Sequence, residues 1–376
     1  KENKMVTTSK PMGSTQASTY YEKDNYYMKD SQFTQWNGKL AEEFEINKTN
    51  ASNNIHNKDF YAILNGLNPK YLTEQDMKDF QKLDKEKEHL EKKIKKWAKD
   101  NKILVFDKEN NPFKAEVEKF NEAKASLIKS IDKRNGLEKL SAGDKVTVGD
   151  RDNIGTVVRT QGNKVVVHFI NNETGKEATR TFDKELIHFA GSNSVRLNKD
   201  TKNEFGIADR KRAGFDVTTS APKSVSILAL VEKNQDIIDA HRKANAEVLK
   251  YIENELAQVR VKDPLTGERV RIDSENILSA SFEHYTSIAV AKNIAPDPQI
   301  HTHNFIANIV KTENGYRSME ASEIYKKQAA LGQIYQNALA KEIEKLGYEI
   351  EWRKEKNGNY TFEIKDMEEA IEQFSK

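Results

Sequence analysis

The chain has 376 residues, 36% of them hydrophobic and 32% charged, and 61 basic against 59 acidic side chains leave a formal charge of +2. That length suggests roughly two to three domains, and near-neutrality excludes a uniformly basic, histone-like binder while permitting a local basic groove. Cysteine is absent, which removes disulfide scaffolds, thiol catalysis and thiolate-held metal clusters, so any metal must sit on histidine, carboxylate or backbone oxygen.

Residues 1–70 open with Tyr20-Tyr21 and Tyr26-Tyr27, four of the 13 tyrosines, and continue into a short helical pattern around Phe60, Tyr61, Leu64 and Leu67. Across 71–140 the character changes. Phe80, Leu83, Leu90, Ile94 and Trp97 keep heptad spacing with Lys87 at a seam position, and Phe113, Val117, Phe120, Leu127 and Ile131 repeat it after Asn110-Asn111-Pro112. This predicts two long amphipathic helices folded into an antiparallel hairpin, serving either as a spacer or as an arm that grips DNA. Residues 141–190 switch to period two: KVTV, IGTVVRT, NKVVVHFI and ATRTF alternate with Gly- and Asn-rich turns. They read as a small SH3-like β-barrel, a fold that by itself says nothing of function. Residues 191–203 look like a polar linker.

Beyond 204, strands and helices alternate. GFDVTTS is a strand, followed by a helix opened by Ser220 and Pro222. A long helix over about 235–258 carries Ile237, Ile238, His241, Ala244, Val248, Ile252 and Leu256 on one side. Strands at ILSASFEH and HTHNFIANIV, a helix over about 322–346 and a strand pair at YEIEWR and YTFEI complete the pattern. Antiparallel strands with helices on one face make an α+β core. No apolar run approaches the ~18 residues of a membrane helix, and the start KENKMVTTSKPMG lacks a signal-peptide core, so a soluble cytoplasmic protein is expected.

Five groups of residues could carry chemistry. On a strand, His301 and His303 share a face with Phe305, Ala307 and Ile309, and two imidazoles so placed can converge on a metal ion or simply pack. His284 closes the apolar stripe Leu278, Ala280, Phe282, a place where a histidine is more often a satisfied core residue than a ligand. Asp216 lies between Phe215 and Val217, where a carboxylate is costly to bury without a partner; orienting a metal-ligating histidine would resolve that cost. Such a nitrogen-rich set without thiolate suits Zn, Mn, Ni or Co, with Mg only through substrate oxygens. The tyrosine pairs suit aromatic packing or, alternatively, nucleophilic attack on phosphorus. Ser220-Ala221-Pro222-Lys223-Ser224 is a helix start that would attract phosphate, or an ordinary cap.

Together these segments resemble the conjugative relaxases of the MobF (TrwC/TraI) class. AGFDVTTSAPKSVS at 213–226, DPQIHTHNFIAN at 297–308 and ASTYYEKDNYY at 17–27 carry the resemblance. FTQWNGKLAEEFEI at 33–46, DFYAILNGLNP at 59–69 and LAKEIEKLGYEIE at 339–351 support it in the same order. It implies an HUH relaxase domain from 1–70 and 204–376, an antiparallel sheet flanked by helices, with the helical hairpin and the barrel inserted. It further implies that His284, His301 and His303 hold a divalent ion, Mg or Mn foremost, with Zn, Ni or Co as alternatives. Asp216 then orients a ligand and accepts a proton; Tyr20 nicks first with Tyr21 beside it, and Tyr26 and Tyr27 serve a later strand transfer.

Lys223, Arg210, Lys211 and Arg212 are the expected backbone contacts to single-stranded or hairpin DNA at an origin of transfer. The motif after the first ligand reads His284-Tyr285-Thr286-Ser287-Ile288, with Ile in place of the family's Arg; Lys292 is a substitute for it. Thr219 replaces the family's Phe. A type IV secretion coupling protein and accessory relaxosome proteins are implied partners, in a bacterial donor cell from which the protein is exported with the DNA. Met5 is the expected native start, and a helicase region is expected beyond Lys376. The rival readings are a rolling-circle replication initiator or HUH transposase, and a non-catalytic DNA-binding or secretion-adaptor protein on the same fold.

Overall fold

The computed structural model describes residues 5–13, 31–46, 55, 57–134, 140–149, 153–170, 175–189, 197, 201–209, 212–263, 266–286, 297–313, 315–355 and 358–374. In chain order, β1 (Val6–Thr8) and β2 (Phe33–Asn37) precede two short helices, α1 (Lys39–Glu43) and α2 (Asn57–Leu64). The helical hairpin follows as α3 (Glu74–Asp100) and α4 (Lys114–Arg134). Next come β3 (Lys145–Val148), β4 (Gly155–Gln161), β5 (Lys164–Ile170), β6 (Glu177–Asp183) and β7 (Ile187–Phe189), then the short β8 (Thr201–Lys202) and β9 (Ala208–Asp209). β10 (Gly214–Ser220) leads into α5 (Lys223–Leu230) and α6 (Gln235–Tyr251). A ribbon, β11 (Gln258–Lys262) and β12 (Arg269–Asp273), precedes β13 (Ser279–Thr286), β14 (Pro298–Ala307), β15 (Val310–Thr312) and β16 (Gly315–Arg317). The chain closes with α7 (Ser322–Lys326), α8 (Gln328–Lys345), β17 (Ile350–Lys354), β18 (Tyr360–Ile364) and α9 (Glu368–Gln373).

The central sheet has the order β1-β10-β14-β13-β2, antiparallel throughout. Alternation along its strands gives each face its own core. Phe215, Val217, Ile300 and Ile306 pack against Ile237, Ala244 and Val248 of α6 and Leu331, Tyr335 and Leu339 of α8. On the opposite face Ala280, Phe282 and Phe305 meet Trp36, Leu40 and Phe60, and Phe60 sits edge-on to Phe282 and Phe305 with ring centroids 5.4 and 5.5 Å apart. Helices therefore cover one face fully and, through α1 and α2, part of the other, where periodicity alone placed helices on one face. β10 and β14 approach so closely that a Cβ on Gly214 would lie 2.3 Å from the carbonyl oxygen of Ile306. Only glycine fits there.

Two helices differ from their sequence-based expectation. The expected 235–258 helix is α-helical to Tyr251 and then widens into a π turn over Ile252–Leu256. From that turn Glu253 Oε1 accepts hydrogen bonds from the backbone N–H of Lys39 (2.8 Å) and Ile277 (3.0 Å), tying α1 and the entry to β13 together. The expected 322–346 helix is broken at Lys327 into α7 and α8. The helix after β10 starts at Lys223 with Pro222 as its cap, whereas Ser220 is still a strand residue.

The hairpin has the heptad's buried seam. Phe80, Leu90 and Ile94 are buried, and so is Lys87. Thr73 and Asp76 close α3 with a reciprocal capping box. Neighbouring residues of α2 join two cores: Phe60 faces the sheet, while Tyr61 and Ala62 pack with Phe80, Ile128 and Ile131 at the hairpin base. Phe205 and Ile207 pack along its flank with Leu90, Ile94, Phe113 and Phe120. The Asn203 side chain donates to Glu91 Oε1 (2.8 Å) and accepts from the N–H of Phe205 (2.9 Å), fixing that strap. Strands β6-β5-β4-β3-β7 form a second antiparallel five-stranded sheet around Val146, Val148, Val157, Val165, Val167 and Ile187, with a 3-10 turn over Lys184–Leu186 before β7.

Candidate active site

The site is assembled by three adjacent strands. Register pairs His284 with His301 across β13 and β14, and Thr218 with His303 across β10 and β14. Because β14 alternates, His301 and His303 point to one face while Thr302 points to the other. A slip of one residue would exchange them. A buried polar network fixes the register: Asn304 Nδ2 donates to Asn245 Oδ1 (2.8 Å) and Val217 O (2.9 Å), Thr219 Oγ1 donates to Asn245 Oδ1 (2.8 Å), and Asn37 Nδ2 donates to Ser281 Oγ (2.8 Å). Ser281 closes the chain by donating to Asn304. These side chains link β10, β14, β13, β2 and α6 in one satisfied network, which specifies a single arrangement.

The three imidazoles converge. Their ring centroids lie 5.1–5.4 Å apart, and one ligand nitrogen from each lies within 4.8 Å of the others. His303 Nδ1 donates to Asp216 Oδ2 at 2.7 Å, and Thr218 Oγ1 donates to the same oxygen at 2.8 Å. His301 Nδ1 donates to the carbonyl of Gln299 at 3.1 Å. With Nδ1 as the donor in both rings, the Nε2 lone pairs of His301 and His303 remain for a ligand, the usual arrangement of a metal-binding histidine backed by a carboxylate or carbonyl. Burial, with His303 beside it, pushes His301 down to about 4, so its ring is neutral at physiological pH. Asp216 is only 4% exposed, and its Oδ1 has no hydrogen-bond partner among the described residues. Three imidazole nitrogens and a buried carboxylate behind one of them fit a divalent cation with open coordination positions.

On the other face of β14, Thr302 Oγ1 is 2.8 Å from Nε2 of His241, whose Nδ1 accepts from the Tyr335 hydroxyl at 2.6 Å. Burial holds His241 down to about 3, so it is a neutral pillar between α6, α8 and the ligand strand. Sequence reasoning placed His241 on the apolar side of its helix but did not connect it to the ligand strand; a lone histidine on such a face was the available signal. Thr218 was also missed, although its place two residues after Asp216 puts both on one face.

The other expected residues are distributed differently. Lys223 Nζ pairs with Asp297 Oδ2 (3.5 Å) and donates to Pro298 O (3.4 Å), at the entry to β14. The first turn of α5, where phosphate was expected, receives the Glu363 carboxylate instead: Ser224 N–H donates to its Oε2 at 2.9 Å. Arg212 is exposed, beside the start of β10. Tyr20, Tyr21, Tyr26, Tyr27, Arg210, Lys211 and Lys292 lie outside the described residues.

The TrwC relaxase family model matches residues 14–376. The chain belongs to the TrwC relaxase family. Relaxases of this family are DNA-nicking enzymes of conjugation, and the match does not favour a replication initiator, a transposase or a non-catalytic adaptor. The multifunctional conjugation protein TraI of Escherichia coli K12 is 32% identical over 153 residues, 38% of this chain and 8% of that protein. This relaxase chain thus matches a small part of the length of its curated relatives. Its fold is similar to the conjugative relaxase TrwC in a metal-bound complex with oriT DNA, at 23% identity, a TM-score of 0.51, 99% coverage of this chain and 80% of that one. TrwC complexed with a 27-mer comprising the recognition hairpin and the cleavage site gives 22% identity, a TM-score of 0.51 and coverage of 99% and 79%. No helix among the described residues is long and apolar enough to cross a membrane.

Proposed function

We propose that this chain is the nicking and strand-transfer domain of a conjugative relaxase, acting on one strand of single-stranded or hairpin DNA at an origin of transfer. The observation that carries this reading is the convergence of His284, His301 and His303, with Asp216 behind His303, in a chain of this family. His284, His301 and His303 would hold the ion, Mg or Mn before Zn, Ni or Co, and when bound it supplies Lewis-acid polarisation of a phosphoryl oxygen. The phenol oxygen of Tyr20 attacks phosphorus and the bond to the 3′ oxygen breaks, leaving a 5′-phosphotyrosyl link, and the departing 3′ oxygen takes up a proton from water to give a free 3′-OH. The phenol proton goes to a base, and Asp216 Oδ1, buried without a hydrogen-bond partner among the described residues, is the candidate. Tyr21 flanks the nucleophile, and Tyr26 and Tyr27 provide acceptors for a second transfer while the first link is occupied.

Arg210, Lys211, Arg212, Lys223 and Lys292 are assigned to the DNA backbone, and a type IV coupling protein with relaxosome accessories to the protein partners, in the donor cytoplasm. The hairpin over 71–140 and the five-stranded sheet over 141–190, read as an SH3-like barrel, are assigned as inserted modules. Incubation with origin oligonucleotides and Mn or Mg tests the reading. A covalent protein–DNA adduct resistant to denaturant is expected; no adduct with any origin strand would refute it.

A further inference from the structure

The helical hairpin ends in an apolar tip. Leu104 is 98% and Val105 85% exposed, the two most exposed large hydrophobic side chains among the described residues. The loop that carries them is pinned on both sides. On one side, the N–H of Ile103 donates to Ala98 O at 2.9 Å, closing α3, with Lys102 in the left-handed region at φ 53°. On the other, Phe106 sits edge-on to Trp97 and Phe205, and Trp97 to Phe113. Asp107 Oδ1 accepts from the N–H groups of Glu109 (2.9 Å) and Asn110 (3.2 Å), and Asn111 Nδ2 donates to Asp107 O (2.8 Å). An ordered loop thus holds two apolar side chains out in water, although its own aromatic cluster lies beside them.

Charge decides what they face. Lys93 pairs with Glu116 (2.8 Å) and Lys114 with Glu109 (3.0 Å), which occupies both glutamates of the tip. Lys96, Lys99, Lys102 and Lys108 are exposed and make no ion pair among the described residues, against two exposed aspartates of the tip, Asp100 and Asp107, the latter taken up by N–H groups of its own loop. Surplus cations around protruding apolar side chains match duplex DNA, which offers phosphates beside a stack of apolar base faces; leucine wedges entering a base step use this pairing. An apolar protein groove would leave the lysines without partners. The 27 residues of α3 place the tip about 40 Å from the hairpin base.

We propose that the hairpin tip is a DNA wedge, in which Leu104 and Val105 enter a base step while Lys96, Lys99, Lys102 and Lys108 hold the adjoining phosphates. This rests on the DNA-processing reading above. The test uses the whole chain and a duplex of about 30 base pairs with 2-aminopurine at its pyrimidine–purine steps, which unstack most easily. Wild type should raise 2-aminopurine fluorescence. Leu104→Ser/Val105→Ser should abolish the rise and weaken binding about tenfold with an unchanged melting temperature. Lys99→Ala/Lys102→Ala should reduce the log–log salt slope by about two. Wild-type fluorescence and affinity in the Leu104→Ser/Val105→Ser protein would overturn the wedge. So would unchanged DNA binding with loss of self-association in sedimentation, which would assign the tip to a second copy. Adduct formation on a short single-stranded origin oligonucleotide should be the same in all variants. Its absence in wild type would fail the relaxase reading alone, and the duplex signal would still decide the wedge.

Discussion

The central sheet and the helical hairpin treat polarity in opposite ways. The sheet draws Asp216, Thr302 and Asn304 inside and gives each a hydrogen-bond partner on β10, β14 or α6. The hairpin buries a conventional seam and turns apolar Leu104 and Val105 outward. Buried polar groups are costly unless paired, and exposed apolar ones gain nothing from folding. Each region therefore departs from the simple inside–outside rule at the place where it is expected to meet DNA: the sheet at a phosphate, the hairpin at a base stack.

The largest expected effect breaks the sheet's side of this comparison. His301→Ala/His303→Ala should lose metal binding by calorimetry and lower adduct formation by about a thousandfold, the scale of several kcal/mol of transition-state stabilisation; unchanged metal stoichiometry would contradict the site. Phe60→Ala should cost ~3–5 kcal/mol of folding stability in denaturant titration, because Phe60 fills the core beneath Phe282 and Phe305. Asp216→Asn keeps the volume and removes the charge behind His303. Metal affinity should fall about 10–100-fold with little change in melting temperature.

The smallest effect is a pH dependence. His241 titrates near its ordinary 6.5 when unfolded and at about 3 when folded. The unfolded chain thus binds more protons between those values, so this contribution to stability is complete above about pH 6.5 and is lost as pH falls toward 3. The urea midpoint should drop on going from pH 7.5 to about 5, and less so in His241→Gln.

Much of the sheet was legible because period two is local. GFDVTTS spans the whole of β10, and the shared face of His301 and His303 follows from their spacing. The heptad found the hairpin and even the buried Lys87. What escaped is non-local. Nothing near Ser224 announces that Glu363, from a strand far along the chain, will occupy the start of α5. Phe205 and Ile207 are two apolar residues beside a polar stretch, too few for a periodic signal, yet they anchor the hairpin. The break at Lys327 carries neither Pro nor Gly. Asn245 and Asn304 read as ordinary polar residues until β14 and α6 are brought together.

The most direct test of the central claim is mass spectrometry of the DNA-linked peptide, after reaction of the Mn- or Mg-loaded protein with an origin oligonucleotide that cannot be resealed. A 5′-phosphotyrosyl link on Tyr20 is expected, and it should be lost in Tyr20→Phe. A link on a residue outside the two tyrosine pairs, or an undiminished adduct in Tyr20→Phe, would contradict it.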